Sequence, residues 1–154
     1  MPTRIVSGDP LLTQAQALAF GHNARGRNES GELEITLMRR YPAAFSLYRK
    51  QASRGNLQAG DLHVYREAKP VLVFMVVRNS AVGSTRYRHV QSAALKLARD
   101  HHFYLLDSVA IAPLGTSEEW SHLIPALRQW FDLSPLNVII YERNLPGVQA
   151  EETL

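Results

Sequence analysis

Residues 71–77 read Val71-Leu72-Val73-Phe74-Met75-Val76-Val77, an unbroken apolar run of β-branched and aromatic side chains. A strand that is apolar on both faces belongs at the centre of a sheet covered by helices on each side. Immediately upstream, Leu62, Val64 and Arg66 alternate with His63 and Tyr65, which is strand periodicity. Downstream, Asn79 to Ser84 with Gly83 reads as a loop, and Tyr87, Val90, Ala94, Leu97 and Ala98 bring back helical spacing.

The same alternation extends to both ends. On the N-terminal side, Thr3 to Ser7 is a short strand that stops at Gly8-Asp9-Pro10, a strong turn sequence. Ala15 to Ala19 is a small apolar run, expected to form a short helix leading into a strand, and Gly21 to Gly31 is predicted to be a loop. Leu33, Leu37, Tyr41, Phe45 and Tyr48 define a helical face that Pro42 divides into two helices. On the C-terminal side, Ser108 to Ala112 is a strand ended by Pro113-Leu114-Gly115. A helix follows, with Ser117 as predicted N-cap and an apolar face of Trp120, Leu123, Ile124, Leu127 and Trp130. The last strand is Asn137 to Tyr141. Alternating strands and helices predict an α/β fold with helices on both faces of the sheet. Ligands of such sheets bind where loops leave the carboxyl ends of the strands. One domain is expected over residues 1–143, with a flexible tail over 144–154.

Composition narrows the function classes. The chain has 154 residues, 45 % hydrophobic and 20 % charged, which suits a packed globular domain and not a disordered one. It has no cysteine, so thiolate catalysis, disulfides and cysteine-based metal sites are excluded. The apolar run at 71–77 is far shorter than the roughly 20 residues a membrane helix needs, and the first residues form no apolar signal core. A cytoplasmic protein without membrane contact is expected. Net charge is +3, but it is unevenly placed. Residues 1–110 carry 15 Lys/Arg against 8 Asp/Glu, and residues 111–154 carry 2 against 6. Most of the excess is arginine, whose planar fork suits phosphate.

The order Val6-Ser7-Gly8-Asp9, Gln16-Ala17-Leu18-Ala19, a glycine loop, Leu37 to Phe45, Arg54 to Gly60, Ile111-Ala112-Pro113-Leu114-Gly115 and Trp120 resembles a macro domain, the ADP-ribose-binding module. The likeness runs from about residue 4 to residue 142. It is greatest to the branch of terminal ADP-ribose protein glycohydrolases and antitoxin macro domains that reverse DNA ADP-ribosylation. The resemblance implies a three-layer α/β/α macro-like domain with a mixed central sheet and a cleft for ADP-ribose, with no cofactor or metal. It implies that Asp9, following Gly8, accepts a hydrogen bond from the adenine amino group. It implies that Asn23, Gly26 and Gly31 line the distal ribose and phosphate region, and that Leu114, Gly115, Thr116 and Ser117 complete the phosphate side. Arg25 and Arg27 are then placed to grip phosphates, against the opposing charge of Glu29 and Glu32.

The chain departs from that pattern at the chemistry. The hydrolytic branch places a lysine after the central strand and an acid in the second phosphate loop. Here the lysine position falls on Val77 or Arg78, and arginine stays protonated and cannot be a nucleophile. The acid position falls near Thr116, with Glu118 and Glu119 as shifted substitutes. The leading expectation is therefore a divergent module that binds ADP-ribose or a related adenosine diphosphate compound without catalysis. The alternative is an ADP-ribosyl glycohydrolase with a rearranged acid. A third reading is a scaffold that has lost the ligand and contacts protein or nucleic acid, through the basic face at Arg78, Arg86 and Arg88. Periodicity argues against that face, because it makes Tyr87 a buried helix position. Such a module meets an ADP-ribosylated macromolecule as partner; nucleic acid is the lesser alternative.

The six histidines, His22, His63, His89, His101, His102 and His122, show no metal spacing. No nucleophile elbow or Walker loop occurs.

Overall fold

The computed structural model describes residues 3–153. Met1, Pro2 and Leu154, the outer ends of the expected domain and tail, lie outside the described residues. Strands β1 (Thr3–Gly8), β2 (Ala17–Asn23), β3 (Leu62–Tyr65), β4 (Val71–Arg78), β5 (Ser108–Ile111) and β6 (Asn137–Asn144) alternate with helices α1 (Glu32–Arg40), α2 (Pro42–Ser53), α3 (Tyr87–Asp100) and α4 (Ser117–Phe131). One mixed sheet results, ordered β1-β6-β5-β2-β4-β3. All neighbours are parallel except the edge pair β3 and β4.

The apolar run at 71–77 is the reason for the layers. In β4, Val73, Met75 and Val77 join one core with α3 and α4, while Leu72, Phe74 and Val76 join a second core with α1 and α2. Both faces of the strand are thus covered, which makes a three-layer α/β/α sandwich. The helix predicted over 33–48 is split at Pro42 as expected, because proline suits the first turn of α2 and not the interior of a longer helix. No helix among the described residues is long and apolar enough to cross a membrane.

Three local expectations are corrected. Ala17 to Asn23 are all strand β2, not a short helix followed by a loop, because β2 pairs with β4 from Ala17 to Asn23 and is buried along its whole length. A Cβ on Gly21 would lie 3.0 Å from Val77 and 3.3 Å from Leu114, so glycine there serves packing. Tyr87 is 54 % exposed instead of buried, with its ring edge-on to Trp130 at 5.4 Å. Finally, β6 continues to Asn144, and the residues after it do not hang free. Residues 145–153, expected to be a flexible tail, return across β1. Leu145 N–H donates to Gly8 O, and Asp9 N–H donates to Val148 O. Ala150 and Glu152 are buried.

The connections fix where a ligand would sit. From β2 the chain crosses to the edge strand β3 and returns to β4, and from β5 it proceeds the other way to β6. The crevice between diverging connections opens at the carboxyl ends of β2 and β5.

Candidate ligand-binding site

The β5–α4 loop is built around Gly115. Its φ of +97° is a conformation that side-chain-bearing residues rarely adopt, and a Cβ would lie 2.5 Å from Glu119 Oε1 and 2.8 Å from Thr85 Oγ1. The helix cap lies one residue earlier than predicted. Thr116, not Ser117, caps α4, in a capping box with Glu119. Thr116 N–H donates to Glu119 Oε1 at 2.8 Å, and Glu119 N–H donates to Thr116 Oγ1 at 3.2 Å. Thr116 is favoured over Ser117 because Glu119 stands at the third helical position from it.

Beside this loop is a cavity of about 720 Å³, within the range of small-molecule sites. Pro113 and Gly115 form one rim, Ser117, Trp120 and Ile124 of α4 form a wall, and Glu142 to Leu145 close the far side. The far side depends on a bulge. Val6 of β1 pairs with Tyr141, but Ser7 pairs with Arg143, so Glu142 is an extra residue on β6. Bulges bend a strand and redirect its side chains. Glu142, Arg143 and Asn144 were not singled out from sequence, since a bulge has no local signature in this stretch. The Trp120 indole N–H donates to Tyr141 O at 2.9 Å, which anchors the apolar wall to β6.

A second bulge shapes the carboxyl end of β4. His22 pairs with Val76 but Asn23 pairs with Arg78, which leaves Val77 extra. Arg78 thereby enters a buried polar network. Its Nη2 donates to Glu29 Oε1 at 2.6 Å, and its Nη1 donates to Thr85 Oγ1 at 2.7 Å. Asn23 Nδ2 donates to Glu29 Oε2 at 2.8 Å, and His22 Nδ1 lies 3.3 Å from the same oxygen. Thr85 N–H donates to Glu119 Oε2 at 3.3 Å, which joins this network to the cap of α4. Burial alone would raise the Glu29 pKa, but the His22 hydrogen bond, the Arg78 charge and the Asn23 amide together hold it below the ordinary value. The Arg78 and Glu29 side chains are 8 % and 9 % exposed. Of the positions weighed for chemistry, Val77 is an apolar core residue, while Arg78 and Glu119 are engaged in structure, Arg78 through both Nη atoms with its buried Nε left without a partner among the described residues. Glu118 is exposed on the first turn of α4.

The structure does not bring all of the expected ligand residues together. Gly115 and Ser117 line the cavity, while Leu114 is fully buried behind it and Thr116 is committed to the cap. Gly8 and Asp9 lie at the end of β1 under the returning tail. Asp9 Oδ1 accepts Leu11 N–H at 2.9 Å, and Oδ2 accepts Gly147 N–H at 2.9 Å. Asn23 is fully buried and holds the loop after β2 instead of facing the cavity. Arg25, Gly26 and Arg27 line a different hollow, with no residue in common with the first, so the two arginines do not face the cleft beside α4. Gly31 is the N-cap of α1. Among the described residues no group of three or more potential metal ligands is assembled.

No protein-family profile and no curated protein sequence matches the chain. Solved structures do. The macrodomain of Thermus aquaticus DarG superposes with a TM-score of 0.83 at 22 % identity, covering 91 % of this chain and 97 % of that one. The macrodomain of Mycobacterium tuberculosis DarG gives 0.77 at 22 % identity, over 90 % and 96 %. Thermosipho africanus DarTG in complex with ADP-ribose gives 0.81 at 18 % identity, over 89 % of this chain and 40 % of that one. The shared feature at these identities is the fold, and it is the macrodomain fold.

Proposed function

We propose that this chain, which has the macrodomain fold, binds ADP-ribose or a related adenosine diphosphate compound and does not hydrolyse it. The observation that carries the reading is the cavity at the carboxyl ends of β5 and β6. It sits on a fold whose relative from Thermosipho africanus was solved with ADP-ribose. The start of α4 offers the anion chemistry. Thr116 and Glu119 satisfy each other, while Ser117 and Glu118 N–H have no hydrogen-bond partner among the described residues. Backbone N–H groups at a helix start favour phosphate. Exposed Arg143 lines the same cavity and supplies its cation, beside the opposing charge of Glu142. Asp9 retains lone pairs beyond the two that the backbone occupies, which suits it to accept an amino group.

The non-catalytic part of the reading is supported by the engagement of Arg78 and Glu119, with exposed Glu118 the one candidate acid left free among the described residues. A nucleophile or general acid must be within reach of a substrate and able to change protonation state. Arg78 cannot do so, and Glu119 holds two backbone N–H groups that its protonation would weaken.

The test is calorimetric titration of ADP-ribose, with AMP as comparison. Saturable micromolar binding, about −8 kcal/mol, is expected. Asp9→Ala and Arg143→Glu should each weaken it at least tenfold. Arg143→Glu changes an exposed residue, so its melting temperature should stay that of the parent. Absence of heat at millimolar ligand overturns the binding reading. Release of ADP-ribose from a modified protein or DNA, abolished by Glu118→Gln, would overturn the non-catalytic one.

A further inference from the structure

The loop after β2 separates charge by sign. Of its ionised residues, Glu29 is turned inward onto Arg78, while Arg25 and Arg27 are exposed. The two arginines meet exposed Arg49 of α2 around a hollow of about 690 Å³ floored by Gly26 and Ala52. No acidic residue lines it. Among the described residues, none of the three guanidinium groups makes a salt bridge; the only side-chain contact is Arg49 Nη2 donating to Ser46 Oγ at 3.3 Å.

The hollow is held in shape before any ligand arrives. Asn23, fully buried, clasps the backbone of Arg27 from both sides. Its Oδ1 accepts Arg27 N–H at 3.0 Å, and its Nδ2 donates to Arg27 O at 2.9 Å. Tyr48 Oη donates to Asn23 O at 2.8 Å, so α2 fixes the base of the same loop. Gly26, at φ +67°, lets the loop lie against α2, since a Cβ would come 3.0 Å from Ala52 Cβ. The hollow faces the C-terminal turn of α2, whose dipole carries about half a negative charge. Three guanidinium charges outweigh it.

We propose that this hollow is a phosphate-binding site distinct from the cleft beside α4, with Arg25, Arg27 and Arg49 as its donors. Forked guanidinium groups on a fixed loop match phosphate oxygens by geometry as well as by charge. No aromatic side chain lines the hollow, so recognition stops at phosphate groups and does not extend to a base. The phosphates can come from a free oligophosphate or from the backbone of a nucleic-acid strand, and the test separates these sources.

Inorganic tripolyphosphate and a labelled single-stranded oligonucleotide are titrated separately into the full chain at low salt. Parent and Arg25→Ala/Arg27→Ala/Arg49→Ala proteins are compared, with ADP-ribose binding followed alongside. Binding of either probe that falls at least tenfold in the triple variant, with ADP-ribose affinity and melting temperature unchanged, supports the site. If the oligonucleotide binds, the slope of log affinity against log salt should fall in magnitude by about two, as expected when some three phosphate contacts at about 0.7 each are removed. Tripolyphosphate alone identifies a small oligophosphate as the ligand. Binding of neither probe, equal binding by the triple variant, or displacement of tripolyphosphate by ADP-ribose overturns the proposal. Lysine at all three positions should restore part of the affinity, because charge is kept and the fork is lost.

Discussion

Two buried glutamates fasten distant segments of the chain, and they are neutralised in opposite ways. Glu29, beneath the ends of β2 and β4, meets a full cation in Arg78 and has its pKa held down. Glu152, 4 % exposed, ties the tail to β1 and β6 with no cation on its carboxylate. It accepts the Thr13 hydroxyl at 2.6 Å, Gln14 N–H at 2.8 Å and the Tyr141 hydroxyl. The nearby Arg4 guanidinium instead donates to the backbone oxygens of Glu152 and Thr153. Burial, then the hydrogen bond to Glu152, pushes the Tyr141 pKa up. The contrast teaches that a buried carboxylate can be held by neutral donors alone. The cation at Glu29 is there for a further task, to reach across to Thr85 and join the loops after β2, β4 and β5.

The sharpest way to break the comparison is to remove the cation. Arg78→Ala leaves Glu29 buried with only His22 and Asn23, and should destabilise the chain by about 3–5 kcal/mol in urea unfolding. Glu152→Ala should cost less, roughly 1.5–3 kcal/mol, because it breaks hydrogen bonds to a charged group without stranding a charge. If the two losses are equal, the distinction between paired and unpaired carboxylates fails. Acid offers a second test of Glu29. Glu29 has a lowered folded pKa, so its contribution is complete above the unfolded value of about 4.3 and is lost as pH falls through the folded value. Glu29→Gln should therefore flatten the acid limb of the stability curve. Gly115→Ala comes next, at about 1–2 kcal/mol for the left-handed conformation, plus whatever Glu119 and Thr85 must shift. It should also weaken ADP-ribose, since that loop rims the cleft.

The sheet was legible in the sequence because it rests on local signals. The 71–77 run reports burial on both faces, and Pro42 reports the break between two helices. The site was less legible because its residues act through partners that are distant in sequence. Glu29 sits among arginines in the chain, and only the β4 bulge brings Arg78 to it, 49 residues away. Glu119 reads as a candidate acid because the family's acid position falls near Thr116, yet Thr116 and Glu119 also have capping-box spacing, and that is the role the structure gives them. Residues 21–23 read as loop because Gly21 and Asn23 are turn formers, but parallel pairing on β4 overrides propensity. The tail looked unanchored because Glu151 and Glu152 are acidic, yet only one of them is exposed.

The smallest effect concerns Glu34, which sharpens the comparison by adding a carboxyl that has gone the other way. Burial raises its pKa; its own backbone N–H lowers it in part, and the charge of Glu29 raises it further. A raised carboxyl favours the folded state when protonated, so its contribution is present below about 4.3 and lost as pH rises through the folded value. At neutral pH the ionised Glu34 is a cost. Glu34→Gln should then raise stability at pH 7 by up to about 0.5 kcal/mol and leave it unchanged near pH 3.5, within the range of ordinary surface substitutions. The gain should shrink in a Glu29→Gln background, because part of it is repulsion between the two carboxylates. An equal gain in both backgrounds would mean that desolvation alone sets Glu34, and that the network around Arg78 ends at Glu29.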